Sequence, residues 1–224
     1  MKKEKLDNLS ILVLSCDKYK NTWKPFFSLL DKYYSNHNET YLSTETLNCE
    51  YSDHTLNVNS DIWTERFRIS LSVIDTDYVL VMLDDFFIRK QVNDKLIAKA
   101  LSTIKNDENI AVINFEKDYR RSIRYNEYFN KQMNNQVYLN SCQPSIWNRK
   151  ILIDRLRELE NAWQWETKRI HSEYTHLINN NQDDFIIDIG YRHQPLSDGW
   201  GVTRGKLTNE CKLFLAKEGF DILW

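Results

Sequence analysis

The sequence predicts an α/β domain built on a largely parallel sheet. Three observations point there. Short apolar runs at 11–14, 78–83 and 110–115, the last broken only by Asn114, read as strands buried on both faces. The stretches between them repeat their apolar residues at helical spacing. Strands then alternate with helices, the order that sets strands side by side and parallel.

Ile11 to Leu14 is the first strand and ends in Ser15-Cys16-Asp17. Trp23, Phe26, Phe27, Leu30 and Tyr34 follow at helical spacing, with Pro25 suited to a first turn. Glu39 to Thr44 reads as a second strand, and 45–60 as loop with a small strand inside. Trp63, Phe67, Leu71 and Ile74 mark a helix that Ser60 or Asp61 can cap. Tyr78 to Leu83 is the strongest strand signal and runs straight into Asp84-Asp85-Phe86-Phe87. Leu96, Ile97, Ala100, Leu101 and Ile104 form a helix face behind an Asn93 or Asp94 cap. Residues 116–136 are polar, rich in Asn, Arg and Tyr, and without period. Val137 to Asn140 is a candidate strand, 148–163 a helix carrying Leu152, Leu156, Leu159 and Trp163, and Phe185 to Ile189 another strand. The expected organisation is one domain in two halves, about 8–115 and about 116–224.

Composition narrows the function. The 224 residues carry 30 Lys+Arg against 32 Asp+Glu, a net charge of −2, without the basic excess of a nucleic-acid binder. Apolar content of 42% and aromatic content of 13% are enough for a packed core, which excludes wholesale disorder. No apolar run approaches the roughly 20 residues that span a bilayer, and the stretch after the basic start is too short for a signal peptide. The expectation is a cytoplasmic protein, with at most peripheral contact at the inner face of the membrane. The 5 glycines all lie at 190 or later, so neither a dinucleotide fingerprint nor a Walker A loop exists where an early strand would need one. The 4 cysteines form no CxxC and the 5 histidines no HExxH, so they read as reduced thiols and ordinary histidines rather than a zinc site.

Two apolar strands that end in acids carry the chemistry. Ligands of open α/β sheets bind beyond the carboxyl ends of strands, so Asp17, Asp84 and Asp85 are expected to converge on one crevice. Adjacent carboxylates repel unless a cation lies between them, and Mg²⁺ or Mn²⁺ is commonly held by one or two carboxylates plus substrate phosphates. The plain alternative has Asp84 capping the next segment and Asp85 in solvent.

Ile11-Leu-Val-Leu-Ser-Cys-Asp-Lys-Tyr19, Trp63-Thr-Glu-Arg66, Tyr78-Val-Leu-Val-Met-Leu-Asp-Asp-Phe-Phe87, Pro144-Ser-Ile-Trp-Asn-Arg149 and Glu160-Asn-Ala-Trp-Gln-Trp-Glu166 occur in that order. The series resembles GT-A-fold nucleotide-sugar glycosyltransferases of the family 2-like kind that build bacterial surface polysaccharides, over roughly residues 8–219. The resemblance implies a GT-A-like sheet and a nucleotide-sugar donor, a UDP-sugar first of all. It implies a divalent metal and a glycan or lipid-linked acceptor. Ser15, Cys16 and Asp17 would lie against base and ribose. Asp84-Asp85 would stand where the family carries Asp-x-Asp, Asp84 toward the ribose and Asp85 toward the metal, although contiguous acids leave open which one binds it. His193 is a further candidate ligand.

Arg66, Arg204 and Lys206 are candidates to meet the phosphates, the last two within the glycine-rich, basic stretch 199–206. Glu166 is the expected general base for inverting transfer to a sugar hydroxyl. Trp163 and Trp165 flank it as acceptor-stacking candidates. The Arg and Tyr cluster at 117–131 is a second candidate acceptor contact, against the plainer reading of a solvated loop. Two rival functions remain: a non-catalytic glycan-binding module, suggested by 7 Trp and 12 Tyr, and a metal-dependent phosphatase or nucleotidyltransferase using the acid pair.

Overall fold

The computed structural model describes residues 5–117, 121–156, 159–168, 170–180, 186–189, 201–203 and 205–221. The first half contains β1 (Leu9–Leu14), a 3-10 turn (Asp17–Tyr19), α1 (Lys20–Tyr33), β2 (Thr40–Thr44), β3 (His54–Asn57), α2 (Trp63–Val73), β4 (Tyr78–Leu83), α3 (Asp94–Lys105) and β5 (Ile110–Lys117). The second contains β6 (Ser122–Arg124), β7 (Phe129–Gln132), β8 (Ser145–Asn148), α4 (Arg149–Arg155), α5 (Ala162–Lys168), β9 (Thr175–Asn179), the small pair β10 (Val202–Thr203) and β11 (Lys206–Leu207), and α6 (Asn209–Lys217).

The chain adopts the α/β class expected. Nine strands form one sheet in the order β3-β2-β1-β4-β8-β5-β9-β7-β6. β3, β2, β1 and β4 are mutually parallel, and so are β5 and β9. β8 runs against both β4 and β5, and β7 against β9 and β6. Within this sheet, all strands except β7 and β8 therefore point the same way.

The apolar runs are continuous because the central strands are covered on both faces. Leu9, Ile11 and Val13 of β1 join a core layer with Leu80 and Met82 of β4, Phe26 and Leu30 of α1 and Ile97 and Leu101 of α3. The alternate residues Leu12, Leu14, Val79 and Val81 face a second layer with Phe67 and Leu71 of α2 and Trp147 and Trp165. This is the period-2 alternation of a strand, apolar on both sides.

Several expectations need correction. α1 begins five residues before Pro25, which lies in its second turn rather than its first. The α3 cap is as expected: of Asn93 and Asp94 it is Asn93, its side chain accepting from Leu96 N. Ser60 does stabilise the start of α2, but through the N–H of Ile62 at 3.1 Å, one residue ahead of the helix. Val137 to Asn140 is turn, not strand, with Tyr138 at φ 61°. The single helix expected over 148–163 is two, α4 and α5, joined by a chain that exposes Leu159. Periodicity ran on through that break because leucines happened to recur. The described residues 186–189 are bend rather than strand; their backbone is used by Arg89 N, which donates to Asp188 O at 2.8 Å, and Asn93 N, which donates to Ile186 O at 3.0 Å. The polar 121–132 segment holds the β6–β7 hairpin, whose sequence lacks the apolar alternation that marks a strand.

Candidate active site

β1 and β4 pair in register, Leu14 opposite Leu83, so the residues that follow leave the sheet side by side. Asp84 N donates to Leu14 O at 3.3 Å, and Ser15 Oγ donates to the Asp84 carboxylate at 2.5 Å. Thr22 Oγ1 donates to the same Asp84 oxygen at 2.8 Å, and Trp23 Nε1 donates to Ser15 Oγ at 2.7 Å. α1 thus supplies two of the groups that fix an acid on a neighbouring strand. Asp84 is only 6% exposed.

Beyond this edge lies a cleft of about 320 Å³. Its floor is Leu14, Ser15, Cys16, Leu83, Asp84 and Asp85, and its walls are Tyr19, Trp63, Arg66, Ala162, Val202 and Gly205. Ser15, Cys16, Arg66, Asp84 and Asp85, all expected at a site, meet in this one cavity.

The acid pair is electrostatically unusual. Burial, and then the neighbouring charge of Asp85, pushes Asp84 up to about 7 despite its bonds from Ser15 and Thr22. Burial pushes Asp85 up to about 6, opposed by the N–H of Val202, which donates to Asp85 Oδ2 at 3.0 Å. Gly201 approaches the same residue so closely that a Cβ there would stand 2.5 Å from Asp85 O, and its φ of +78° is one that glycine tolerates best.

Asp17 stands apart from the cleft lining. Its carboxylate accepts from Thr44 Oγ1 at 2.6 Å, Thr46 Oγ1 at 2.5 Å and the N–H groups of Thr46 and Leu47 at 3.1 Å each. Burial works against its charge, but these bonds hold the carboxyl well below the usual range. Asp17 therefore clamps the loop after β2. That loop returns Glu45, which accepts from Arg66 Nη1 and from Asp17 N at 2.5 Å. Arg66 is thereby held against the cleft wall.

Glu166 lies on α5, one helical turn after Ala162 of the cleft wall and so on the same helix face. Its Oε1 accepts from Cys142 N at 2.7 Å. Burial, then the charge of Glu166, and more weakly that of Asp85, raise the Cys142 thiol well above its ordinary value. Cys142 is thus within the electrostatic reach of both acids. The tryptophans beside Glu166 have opposite environments. Trp163 is 67% exposed, whereas Trp165 is 1% exposed and packs 6.3 Å from Trp147. Stacking of a sugar on Trp165 is corrected accordingly: it is a core residue, because α5 turns that side inward.

Lys206 is an exposed β11 residue paired with Thr203, next to Gly205 of the wall. Arg204 and His193 lie outside the described residues. Lys18 was not singled out by sequence; its Nζ comes within 3.8 Å of where a Gly205 Cβ would stand, placing a cation at the cleft mouth. Its neighbour Tyr19 and the α2 residue Trp63 were also missed, since nothing in a lone Lys-Tyr or an amphipathic helix start marks a ligand wall.

Asp84 and Asp85 suit a divalent cation, since a positive ion offsets the burial that raises both carboxyls and the repulsion by Asp85 that raises Asp84 further. No cluster of three or more His, Cys, Asp or Glu able to hold a metal exists among the described residues. The rest of such an ion's shell would come from substrate oxygens and water.

No family model matches the sequence, and no curated protein does either. Solved structures with a similar fold include bifunctional IspDF from Campylobacter jejuni, at 12% identity over 68% of this chain and 44% of that one, TM-score 0.43. TarS 1-349 from S. aureus is similar at 14% identity over 79% and 58%, TM-score 0.49. The 2-C-methyl-D-erythritol 4-phosphate cytidylyltransferase from Thermus thermophilus is similar at 7% identity over 93% and 98%, TM-score 0.48. The chain spans about half the length of the first two. Among the described residues no helix is long and apolar enough to cross a membrane.

Proposed function

We propose that the chain is a glycosyltransferase that moves a sugar from a nucleotide-sugar donor, a UDP-sugar first of all, to a hydroxyl of a glycan or lipid-linked glycan in surface-polysaccharide synthesis. The observation that carries this reading is the cleft itself: two adjacent acids at the carboxyl end of β4, Asp84 buried and Asp85 part-buried, beside Ser15 and Cys16 at the end of β1, faced by Arg66 and, at the mouth, by Lys18. The ordered sequence resemblance to GT-A enzymes falls on the same residues.

In this reading Ser15 and Cys16 lie against the nucleoside, and Asp84 is the fixed polar floor beneath the ribose. Asp85, with Asp84 behind it, would hold a divalent cation, which would supply positive charge opposite the departing diphosphate. Arg66, Lys18 and the 201–206 segment complete the positive surroundings that a leaving diphosphate requires. Glu166 takes the proton from the acceptor hydroxyl as the oxygen attacks the anomeric carbon from the face opposite the diphosphate, which inverts the centre. Exposed Trp163 offers the acceptor its ring. The donor half is about 8–115 and the acceptor half about 116–224, with Val202 and Gly205 crossing back onto the donor.

The test is thermal shift with UDP, GDP and CDP with and without Mn²⁺, followed by nucleotide release from the corresponding sugar nucleotides. A ligand that binds only the folded chain raises its melting temperature. The reading requires nucleoside diphosphate binding, turnover lost in Asp85→Asn, and transfer lost with binding kept in Glu166→Gln. Full turnover in both variants overturns it. Pyrophosphate release from a nucleoside triphosphate, with none from a sugar nucleotide, reassigns the cleft to nucleotidyl transfer.

A further inference from the structure

A second cavity, of about 790 Å³, opens between the start of α3 and the β6–β7 turn. It is larger than the cleft of Asp84 and Asp85 and lies within the size range of ligand pockets. Its walls include the cations Lys95, Lys99 and Arg124 and the ring of Tyr128. Its rim is rich in amides, with Asn93, Asn130, Asn179 and Asn180 all contributing.

Lys95, Lys99 and Arg124 are exposed, and none makes an ion pair with a described acid. Glu127 is the one acid in the lining, set among three cations, and its neighbourhood raises the Tyr128 hydroxyl above its ordinary value. Lys99 Nζ stands 5.4 Å from the Tyr128 ring centre, so ring and cation form one wall. Asn180 Nδ2 donates to Glu127 O at 2.9 Å and Asn126 O at 3.4 Å, which pins the turn that carries Arg124 and Tyr128. The cavity is therefore built by cross-bracing rather than left between loose loops.

We propose that this cavity binds an acidic oligosaccharide. Cations without an acidic partner select negative charge, a rim of amides adds polar partners for sugar hydroxyls, and an aromatic face packs against a pyranose ring. A bare phosphate would leave most of the cavity and its amides unused. The site lies on the same carboxyl edge of the sheet as the acid pair. From β4 to β9 is three strand steps through β8 and β5, about 14 Å at the usual ~4.8 Å spacing. Occupancy needs no nucleotide in the other cleft.

Calorimetry on the full chain with hyaluronan hexasaccharide, maltohexaose, inorganic phosphate and a single-stranded oligonucleotide of matching charge tests this. Binding of the hyaluronan fragment, stronger than that of the other three, is expected. Lys95→Ala/Arg124→Ala should weaken it on the order of tenfold or more, the effect of losing charge-assisted contacts. The exposed pair Lys150→Ala/Lys212→Ala should leave it unchanged, and neither pair should alter a separate UDP titration. Should Lys95→Ala/Arg124→Ala not fold, the surface change Lys95→Glu carries the same expectation. Absence of hyaluronan binding, equal loss in both pairs, or tighter binding of maltohexaose, phosphate or oligonucleotide overturns the proposal.

Discussion

Ser15 and Asp84, 69 positions apart in the chain, are joined by a 2.5 Å hydrogen bond across the ends of two parallel strands. Ser15 is itself held by Trp23, so a helix, two strands and an acid form one network. Ser15→Ala removes a donor from a buried carboxylate and the acceptor of the Trp23 Nε1–H. The expected loss is about 1–3 kcal/mol of stability, read by urea unfolding. A change below a few tenths of a kcal/mol would show that the network is not formed in solution.

The acid pair makes stability depend on pH with a definite sign. Asp84 and Asp85 hold protons up to about 7 and about 6 in the folded chain, against a reference of 3.8. Between those values the folded state binds more protons than the unfolded one, so this contribution falls as pH rises from about 4 to about 7 and is level above. His176 acts oppositely. Burial, then Arg155, lowers it to about 3, so its contribution rises with pH until the ordinary value of 6.5 is passed. Comparing melting curves of Asp84→Asn and the parent chain separates the two. The variant should gain on the parent steadily between pH 4 and 7 and hold that gain above; a gain independent of pH contradicts the raised acid.

Gly201→Ala should be costly twice over, by its positive φ and by the 2.5 Å approach to Asp85 O. The left-handed conformation alone costs a non-glycine residue about 1–2 kcal/mol. Nucleotide affinity should fall with it, since the displaced segment carries the N–H that Val202 gives to Asp85. Equal melting temperature and equal affinity in the variant would contradict the packing described.

Lys18→Ala tests the cation at the cleft mouth. The side chain is exposed, so stability should stay within about 0.5 kcal/mol. Affinity for UDP should drop on the order of tenfold, and more at low salt than at high salt. Unchanged affinity removes Lys18 from the donor site.

The two tryptophans of α5 should separate cleanly. Trp165→Ala opens the core beside Trp147 and should cost about 3–5 kcal/mol. Trp163→Ala should leave stability nearly untouched and lower the apparent acceptor affinity at unchanged nucleotide affinity. Unfolding caused by Trp163→Ala would mean that its ring is packed rather than presented.

The sheet's centre was legible because β1, β4 and most of β5 are apolar on both faces over the length of a strand. The Ser15, Arg66 and Asp84-Asp85 cluster was legible because strand ends gather ligands and acids there stand out. The β6–β7 hairpin was not, since its residues face solvent and neighbours in no simple alternation. Nor was the division between α4, ending at Arg155, and α5, beginning at Ala162, across which the leucine spacing persists. Asp17 is the instructive case: an acid at a strand end looks like a ligand, and only the coordinates reveal that Thr44, Thr46 and Leu47 consume it. Lys18 comes near Gly205 because the described residues around it fold back toward β1, and local sequence holds no record of that contact.

Asp85 is finished by a residue 117 positions downstream, the N–H of Val202. A ribosome delivers β1 and β4 long before that group exists, and domains gather their early portions first. For an interval during synthesis the nascent sheet therefore carries an acid pair in which Asp85 lacks this donor, and the bond forms only when the stretch around Val202 docks.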